Sequence, residues 1–427
     1  MAKKVVIVTY YWAPAGGPGV QRWLKFVKYL RHFDIEPIVV IPKNPNYPMV
    51  DDTFSDAIPK DITIVKLPIF EPYKLAEFFS KKKSKTISKG IIAKGKQSFA
   101  EKMMLYIRGN FFIPDARKFW VKPSVKFLKK YLKENNIETV ITTGPPHSVH
   151  LIGLNLRKQL AIKWLADFRD PWTTIGYHEN LRLTEKSKRK HLQLESEVLQ
   201  TADQIVTTSF TTKEEFSALT KQPIEVITNG YDVEKYERIP MDEKFTLSHI
   251  GSLLSERNPL ILWEVLAELV QTDADFAKDV QLQFAGVVSQ DIQDAIIAVG
   301  LEKYTTYFGY VSHQKALQLQ RASQLLLVIE IDAEKTKGII AGKLFEYMAA
   351  ERPIMGIGPE DADIAKIIQQ TNTGTYFLYT EKEKLKTQIV AYYEAFKNKQ
   401  LQVFPIGLQK YSRKALTGKL AEVLKSF

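Results

Sequence analysis

Short apolar runs alternate with longer amphipathic runs along nearly the whole chain, and this alternation constrains the fold more than any other feature. Buried strands that alternate with helices predict parallel sheets of the doubly wound type. In the first part of the chain, the strand-like runs are Val5–Thr9, Ile38–Ile41, Ile62–Leu67, Thr139–Thr143, Lys163–Ala166, Gln204–Thr207 and Ile224–Thr228.

A second series of the same kind follows, so the sequence predicts two Rossmann-like domains. A length of 427 residues also exceeds what one ordinary core supports. We expect the boundary in the polar segment Glu234–Lys244, which gives domains of about 1–236 and 237–405 and a final helical segment of 406–427. The strand-like runs of the second series lie near Phe245–Ile250, Gln281–Ala285, Tyr304–Phe308, Gln324–Ile329, Ile354–Ile357 and Thr375–Leu378.

Composition excludes several classes of function. The chain has no cysteine, which rules out disulfides, a thiol nucleophile and cysteine-based zinc sites. No apolar run approaches the roughly 20 residues that span a bilayer. The first residues mimic a short signal peptide, but Thr9, Tyr10 and Tyr11 interrupt the apolar run. We therefore expect a first buried strand there.

Positive charge is concentrated in one stretch. Between Lys74 and Lys133 there are 17 Lys and Arg against 3 acids, whereas the whole chain carries a net charge of +12. Apolar and aromatic residues are mixed into this stretch, a pattern that favours attachment to an anionic membrane surface. The alternative is a solvated insertion. Nucleic acid would also attract this charge, but the chain has no RNA- or DNA-binding motif, so we do not expect that partner.

A glycine-containing loop before a helix is the first candidate binding site. The segment from Gly338 to Met355 predicts a loop, a helix that begins near Lys343, and a buried strand. Gly338 and Gly342 permit close backbone approach, and a helix N-terminus attracts anions. Lys343 and Glu346 lie on one helix face, which suits the phosphates and the ribose of a nucleoside diphosphate. The alternative is an ordinary corner with Glu346 on a solvated face.

Other candidates follow predicted strands. Gly17 and Gly19 come after the first strand and before a helix, so their amides are placed to face a phosphate or a sugar. His147 follows Thr139–Thr143 at a helix start, where either ligand contact or simple packing is consistent with the sequence.

Two further strand ends carry charged residues. Asp170 lies in the segment Asp167-Phe-Arg-Asp-Pro-Trp172, which is richer in charge than packing requires, although a structural salt bridge of Arg169 is an alternative. Gly251 follows Phe245–Ile250, and Arg257 is placed to clamp a diphosphate.

These motifs, in this order, resemble a GT-B fold glycosyltransferase of the large retaining type, family 4-like, which includes many bacterial cell-surface sugar transferases. The resemblance spans essentially the whole chain and rests on five segments. They are Gly17-Pro-Gly-Val-Gln-Arg22, Asn229-Gly-Tyr-Asp232, Gly251–Asn258, Lys343–Pro353 with Glu346 at the ribose-binding position, and the terminal helix with Tyr411-Ser-Arg413.

Two positions depart from the family pattern. Gly338 stands where many members have a glutamate, so donor-sugar contacts are expected from the Gly338–Gly342 amides or from another acid such as Glu330 or Glu334. Ser252 replaces the usual arginine, which leaves Arg257 and Lys343 as the expected diphosphate cations.

The resemblance implies two facing Rossmann-like domains, a C-terminal crossover helix and transfer of a sugar with retention. It implies roles for His147 in contacting the sugar and for Asp170 as an acid/base or acceptor-orienting group. It implies no metal or other cofactor, so Asp273-Ala-Asp275 and Asp361-Ala-Asp363 are interpreted as polar turn and helix-start residues.

The expected function is therefore transfer of a sugar from a nucleoside-diphosphate sugar to a lipid-linked or cell-surface glycan acceptor. The expected location is cytoplasmic, peripheral at the inner face of the cell membrane. The alternatives are a nucleotide-sugar 2-epimerase on a similar fold, and a catalytically degenerate protein that binds a sugar nucleotide without turnover.

Overall fold

The computed structural model describes residues 2–71, 99–174, 178, 181–232 and 239–427. The chain forms two compact units. Unit 1 consists of the residues up to Asn229 together with Arg413–Phe427, and unit 2 is Gly230–Ser412. The sequence placed the first boundary near residue 236 and began the terminal helical segment at residue 406.

Unit 1 is built on a seven-stranded parallel sheet, as the first strand series predicted. The order of its strands is β3-β2-β1-β4-β5-β6-β7. Each predicted run corresponds to one strand. The central strands are buried from both faces, whereas the edge strands Thr63–Pro68 and Ile224–Val226 are only partly buried. The strands are β1 Lys3–Thr9, β2 Ile35–Lys43, β3 Thr63–Pro68, β4 Thr139–Gly144, β5 Lys163–Phe168, β6 Gln204–Thr207 and β7 Ile224–Val226.

Helices cover both faces of this sheet. The C-terminal helix packs in unit 1 against α1, and Leu416, Leu420 and Leu424 belong to the same apolar core as Trp23 and Val27. The helices of unit 1 are α1 Pro18–Leu30, α2 Thr53–Asp56, α3 Phe99–Phe111, α4 Val121–Glu134, α5 Ser148–Gln159, α6 Glu185–Thr201, α7 Phe210–Ser217 and the C-terminal Arg413–Lys425.

Unit 2 contains a second parallel sheet, of six strands, in the order β10-β9-β8-β11-β12-β13. Its core includes Leu247, Leu282, Leu327 and Ile357, all of which are inaccessible or nearly so. The strands are β8 Phe245–Ile250, β9 Val280–Ala285, β10 Thr305–Gly309, β11 Leu325–Ile329, β12 Ile354–Gly358 and β13 Gly374–Leu378.

The helices of unit 2 alternate with its strands. They are α8 Leu260–Thr272, α9 Ala274–Asp279, α10 Gln290–Ala298, α11 His313–Ala322, α12 Gly342–Ala350, α13 Asp363–Thr371 and α14 Lys382–Lys397. The terminal helix of unit 1, Arg413–Lys425, follows them and is α15. None of the helices in the described ranges is long and apolar enough to cross a bilayer.

The basic stretch lies partly outside the described residues. Its first part, residues 74–98, is in the range that the structure does not describe. The remainder forms α3, a 3-10 turn at Ala116–Trp120 and α4.

Candidate functional site

Unit 2 has a topological switch point between β8 and β11. The strand order runs outward from β8 in one direction and from β11 in the other, so the loops at their carboxyl ends diverge. Ligands of doubly wound sheets bind in the crevice that this divergence opens. Gly251 and Arg257 follow β8, Glu330 follows β11, and Lys343 lies in the first turn of α12. The topology thus collects candidates that are widely separated in sequence.

Gly251 is required by two independent features of this crevice. Its φ is +126°, a backbone conformation that residues with a side chain rarely adopt. A Cβ atom added there would also lie 2.9 Å from Nζ of Lys343. The neighbouring Gly286 would clash with the backbone of Gly251 in the same way, at 2.7 Å. The glycine at position 251 therefore leaves room for the Lys343 ammonium group, and the glycine at position 286 leaves room for the backbone of Gly251.

Lys343 is held by a buried histidine that the sequence analysis did not single out. Nζ of Lys343 lies 2.8 Å from Nε2 of His249, whose Nδ1 is 3.1 Å from the carbonyl oxygen of Leu327. Burial and the Lys343 charge keep the pKa of His249 well below 6.5. The ring is therefore neutral, so Nδ1–H donates to Leu327 and Nε2 accepts from the ammonium group.

Burial also lowers the pKa of Lys343, to about 8. The carboxylates of Glu330 and Glu346 oppose this shift, and Arg257 adds to it. At neutral pH the side chain is still mostly protonated, so it presents a partly desolvated positive charge. Such a charge interacts with an anion more strongly than an exposed lysine does.

Arg257 and Glu330 form the other half of this cluster. One guanidinium nitrogen of Arg257 lies 3.1 Å from Oε2 of Glu330. The Glu330 side chain is 2% exposed, whereas that of Arg257 is 25% exposed. Burial raises the pKa of Glu330, although the Arg257 charge opposes that shift. Arg257 therefore reaches the crevice with one side anchored by a buried carboxylate.

Helix α12 is fixed to β8 by a tyrosine. The hydroxyl of Tyr347 accepts a hydrogen bond from the backbone N–H of Ile250 at 2.7 Å and donates one to its carbonyl at 3.2 Å. Glu346 is half-buried and accepts from Nε2 of Gln320 at 3.0 Å. The helix begins at Gly342, one residue before the position that the sequence predicted, and no side chain caps its first turn. The first turn of a helix leaves backbone N–H groups without intrahelical partners, and this turn lies in the segment that follows the carboxyl end of β11.

The surroundings of Gly338, in the loop before α12, and of Gly342, the first residue of α12, differ from those of Gly251. A Cβ at Gly342 would meet no atom within 4 Å, so packing does not require a glycine there. Gly338 follows the 3-10 turn Glu334–Thr336, and the carbonyl of Lys337 beside it accepts from the N–H of Asp363 at 2.8 Å. The loop is therefore tied to the start of α13, and it leads directly into the uncapped turn of α12.

Unit 1 has its own switch point, between β1 and β4. Gly17, with φ +112°, caps the N-terminus of α1, and a Cβ at Gly19 would lie 1.6 Å from a guanidinium nitrogen of Arg169. Nε of Arg169 donates to the carbonyl of Gly144 at 3.1 Å, and its other end donates to the carbonyl of Pro145. The structure thus brings Gly19, in the first turn of α1, to Arg169 of the loop after β5, whereas the neighbour of Gly17 is Met49.

His147 lies in an aromatic pocket at this edge. Its ring stacks on Trp172 with a centroid distance of 5.1 Å and an interplanar angle of 4°. It is 5% exposed, and neither ring nitrogen has a hydrogen-bond partner among the described residues. Burial and the nearby His150 hold the pKa of His147 well below 6.5. The ring is neutral and does not cap α5, since Asp115 binds the N–H of Ser148 at 2.8 Å.

The two carboxylates after β5 have different surroundings. Asp167 is 1% exposed and pairs with Arg22 at 3.0 Å, and it also accepts from Nε1 of Trp23 at 3.0 Å. That network holds α1 on the sheet, so a structural role accounts for the buried charge of Asp167. Asp170 is half-buried, and burial raises its pKa while the Arg169 charge opposes the rise. Asp170 is therefore the carboxylate of this segment that remains for contact with a ligand.

The Asp-x-Asp pairs act within their own helices. Asp273 caps α9 by accepting from the N–H groups of Asp275 and Phe276 at 2.9 Å. Asp363 is inaccessible and lies 3.5 Å from Nζ of Lys366. Within the described ranges, no group of three or more His, Asp or Glu side chains is arranged to hold a metal ion.

Comparisons with known proteins show the fold. No protein-family model and no curated protein sequence matches the chain. The solved structure of sucrose-phosphate synthase from Thermosynechococcus elongatus is 11% identical, with a TM-score of 0.61 over 99% of this chain and 98% of that one. WaaG, a glycosyltransferase involved in lipopolysaccharide biosynthesis, is 14% identical, with a TM-score of 0.54 over 99% of this chain and 100% of that one.

A third similar structure comes from a different class of enzyme. A protein assigned as a UDP-N-acetylglucosamine 2-epimerase from Listeria monocytogenes is 14% identical, with a TM-score of 0.54 over 100% of this chain and 96% of that one. The two parallel sheets of seven and six strands, together with these likenesses, show that the chain has the GT-B fold. The predicted fold class is therefore confirmed.

Proposed function

We propose that this GT-B protein is a glycosyltransferase that moves a sugar from a nucleoside-diphosphate sugar to an acceptor hydroxyl. The observation that carries the proposal is the cluster at the switch point of unit 2. There, Lys343 and Arg257 converge beside the uncapped N-terminus of α12. Two cations and a helix N-terminus match the charge and the hydrogen-bonding needs of a diphosphate.

In this proposal each candidate of unit 2 has one role. Lys343 and Arg257 bind the diphosphate, with amides from the Gly338–Gly342 loop. Glu346 binds the ribose hydroxyls, since a carboxylate accepts two hydrogen bonds from a vicinal diol. Gly251 keeps space open for the Lys343 side chain.

The chemistry follows from where charge develops during transfer. As the glycosidic bond to the diphosphate breaks, negative charge accumulates on the leaving group and positive charge on the sugar. Fixed cations at the leaving group stabilise that transition state more than the ground state. We propose that the anomeric configuration is retained, that no metal takes part, and that His147 and Asp170 of unit 1 contact the sugar and orient the acceptor.

The test is binding of nucleotides to the intact protein. Calorimetry with UDP, GDP, ADP and CMP and with their sugars should identify one preferred nucleoside diphosphate. Glu346→Ala should weaken its binding about ten- to a hundredfold, because a charged hydrogen-bond acceptor is lost. Glu302→Ala, an exposed acid of the same unit, is the matched control. Failure of every nucleotide to bind would sink the proposal. Because no metal is proposed to take part, EDTA should leave nucleotide binding unchanged.

A 2-epimerase is the second candidate, because one of the similar structures carries that assignment. The two functions differ in their products. A transferase releases the nucleoside diphosphate only when an acceptor or water takes the sugar, whereas a 2-epimerase converts one nucleotide sugar into another. Chromatography of a reaction without acceptor separates them, since accumulation of an epimeric nucleotide sugar would favour the second candidate.

We also propose that unit 1 attaches the protein to an anionic membrane at the cytoplasmic face. One face of α3 is apolar yet exposed, with Phe99 at 78%, Met103 at 46% and Phe111 at 64%. Leu105 on the opposite face is buried, so α3 packs against the described part of unit 1 with that face. Apolar side chains beside lysines are the composition of helices that lie in a membrane interface.

Vesicle co-sedimentation tests this attachment. Met103→Ser with Ile107→Ser should reduce binding to vesicles that contain phosphatidylglycerol. Phe404→Ser with Ile406→Ser is the control, because both residues are exposed apolar residues of unit 2. Equal binding of the two double variants would contradict the attachment through α3. The acceptor proposed for such a protein is lipid-linked or is a cell-surface glycan.

A further inference from the structure

A groove of about 990 Å³ lies between α4 and α5 on unit 1, and its lining residues include none of the candidate residues described above. Lysines of α4 form one wall and the rim, and Asn155 and Gln159 of α5 lie on the other wall. Val121 and Val125, each 8% exposed, form the floor with Leu151. The groove therefore combines a cationic rim with an aliphatic base.

The lysines follow the helical repeat along one stripe. Lys118, Lys122, Lys126, Lys129, Lys130 and Lys133 all line the groove. Like charges one turn apart on a helix repel each other and destabilise it. Only Lys130 has an acidic partner in the described ranges, Glu134 at 3.5 Å. Among the described residues, the stripe therefore has one ion pair to offset the repulsion between its lysines.

Three of these side chains are left for an external partner. Lys118 donates to the carbonyl of Phe111 at 2.6 Å, and Lys129 donates to Gln159 at 2.9 Å. Lys122, Lys126 and Lys133 have no ion pair or hydrogen bond among the residues that the structure describes. They extend along about 16 Å of helix, at a rise of 1.5 Å per residue. That length is several times that of one phosphate or carboxylate group.

One end of the groove meets the carboxyl edge of the unit 1 sheet. Lys118 and Phe119 follow Asp115, and Asp115 accepts hydrogen bonds from the N–H and hydroxyl groups of Ser148 at 2.8 and 2.7 Å. Ser148 is the residue after His147. From this end the groove follows α4 and α5 toward the opposite edge of the sheet. A chain lying in it would thus run away from the candidate site.

We propose that this groove binds the chain of an acidic glycan, one with carboxylate or phosphate groups on successive units, as the acceptor. The groove is concave, so a flat membrane surface would reach only its rim. Its floor is aliphatic, with Phe119 as the one aromatic side chain among its lining residues, whereas single-stranded nucleic acid needs repeated aromatic platforms. Val121, Val125, Leu151 and Phe119 offer apolar contacts to the C–H groups of sugar rings, while the lysines offer charge to the acidic groups. The assignment of the bound glycan as the acceptor rests on the proposed function, whereas the proposal that the groove binds an acidic glycan does not.

Binding of defined oligomers tests the proposal on the full-length protein. Hexagalacturonate is the acidic probe, and maltohexaose is its neutral counterpart. The triple variant Lys122→Gln, Lys126→Gln, Lys133→Gln should bind hexagalacturonate about tenfold more weakly, because three charge contacts of modest strength are lost. The control triple variant Lys186→Gln, Lys190→Gln, Lys221→Gln has the same net charge and exposed positions elsewhere on unit 1, so its affinity should not change.

Several results would overturn the groove as a glycan site. These are equal losses in the two triple variants, equal binding of maltohexaose, tighter binding of oligothymidylate, or binding of phosphatidylglycerol vesicles without binding of hexagalacturonate. Nucleotide binding is measured on the same samples. Loss of glycan binding with an intact nucleoside-diphosphate affinity places the effect in the groove. If the native protein binds hexagalacturonate but no nucleotide, the transferase proposal fails and the groove site stands.

Discussion

Burial gives Lys343 a property that ordinary surface lysines lack. Its pKa is lowered to about 8, so it loses its charge at mildly alkaline pH. We therefore predict that the affinity for a nucleoside diphosphate falls as the pH rises from 7 through 9. Lys343→Met should bind more weakly at pH 7 and lose most of this pH dependence. Calorimetry across that pH range measures the affinity. If the affinity of Lys343→Met depends on pH as strongly as that of the native protein, the role of Lys343 is contradicted.

Gly251 supports a second prediction at the same scale. Gly251→Ala should lower the free energy of unfolding by about 1–3 kcal/mol, because a side chain is strained at φ +126° and crowds Lys343. Gly300→Ala is a matched control, with φ +78° and no atom within 4 Å of its Cβ. Only Gly251→Ala should also weaken nucleotide binding. Urea unfolding and calorimetry measure the two effects, and equal nucleotide affinities in the two variants would contradict the steric argument.

Single residues also mark the limit of what the sequence predicts. Glycines at strand ends and the first turn of a helix are visible in a sequence, since their signals are local. The contact between Lys343 and His249 spans 94 positions and depends on which strands are neighbours. His249 lies in a buried strand, where a histidine is usually interpreted as a packing residue. Its position at the carboxyl end of that strand is the one local signal of a role in the site.

At the scale of elements, α12 is positioned by Tyr347 rather than by its own sequence preference. Tyr347→Phe leaves the buried N–H of Ile250 without its partner, which costs about 1–3 kcal/mol of folding free energy. Because the hydroxyl also fixes the helix against β8, nucleotide affinity should fall as well. Tyr392→Phe, which removes a half-buried hydroxyl bonded to Thr375, is the control for stability alone. Thermal unfolding and calorimetry separate the two variants, and an unchanged nucleotide affinity would show that α12 does not depend on Tyr347.

Elements were the part of the fold that the sequence predicted best. Both sheets contain the predicted strands, because each strand is an apolar run bounded by turn residues. The sequence does not determine which strands are neighbours, since pairing is decided by long-range packing. The juxtaposition of β8 and β11 was therefore not predicted, and it is this neighbour relation that assembles Arg257, Glu330 and Lys343.

At the scale of the whole molecule, buried histidines are distributed unevenly between the units. Unit 1 contains His147, His150, His178 and His191, which lie close together around Trp172, whereas His249 is the counterpart in unit 2. Burial lowers the pKa to about 3 for His150 and to about 4 for His178 and His191. In an unfolded chain these groups titrate near 6.5.

This difference predicts that acid destabilises unit 1 first. Between pH 6.5 and about 4 the unfolded unit binds protons that the folded unit excludes, so the stabilisation present above pH 6.5 is lost as the pH falls. Urea unfolding at pH 7 and pH 5, followed by tryptophan fluorescence in a Trp263→Phe background, reports on unit 1 because its five tryptophans remain. The midpoint should fall at pH 5, and His191→Gln should reduce the fall. A midpoint that is equal at both pH values would mean that these histidines become protonated without unfolding the unit.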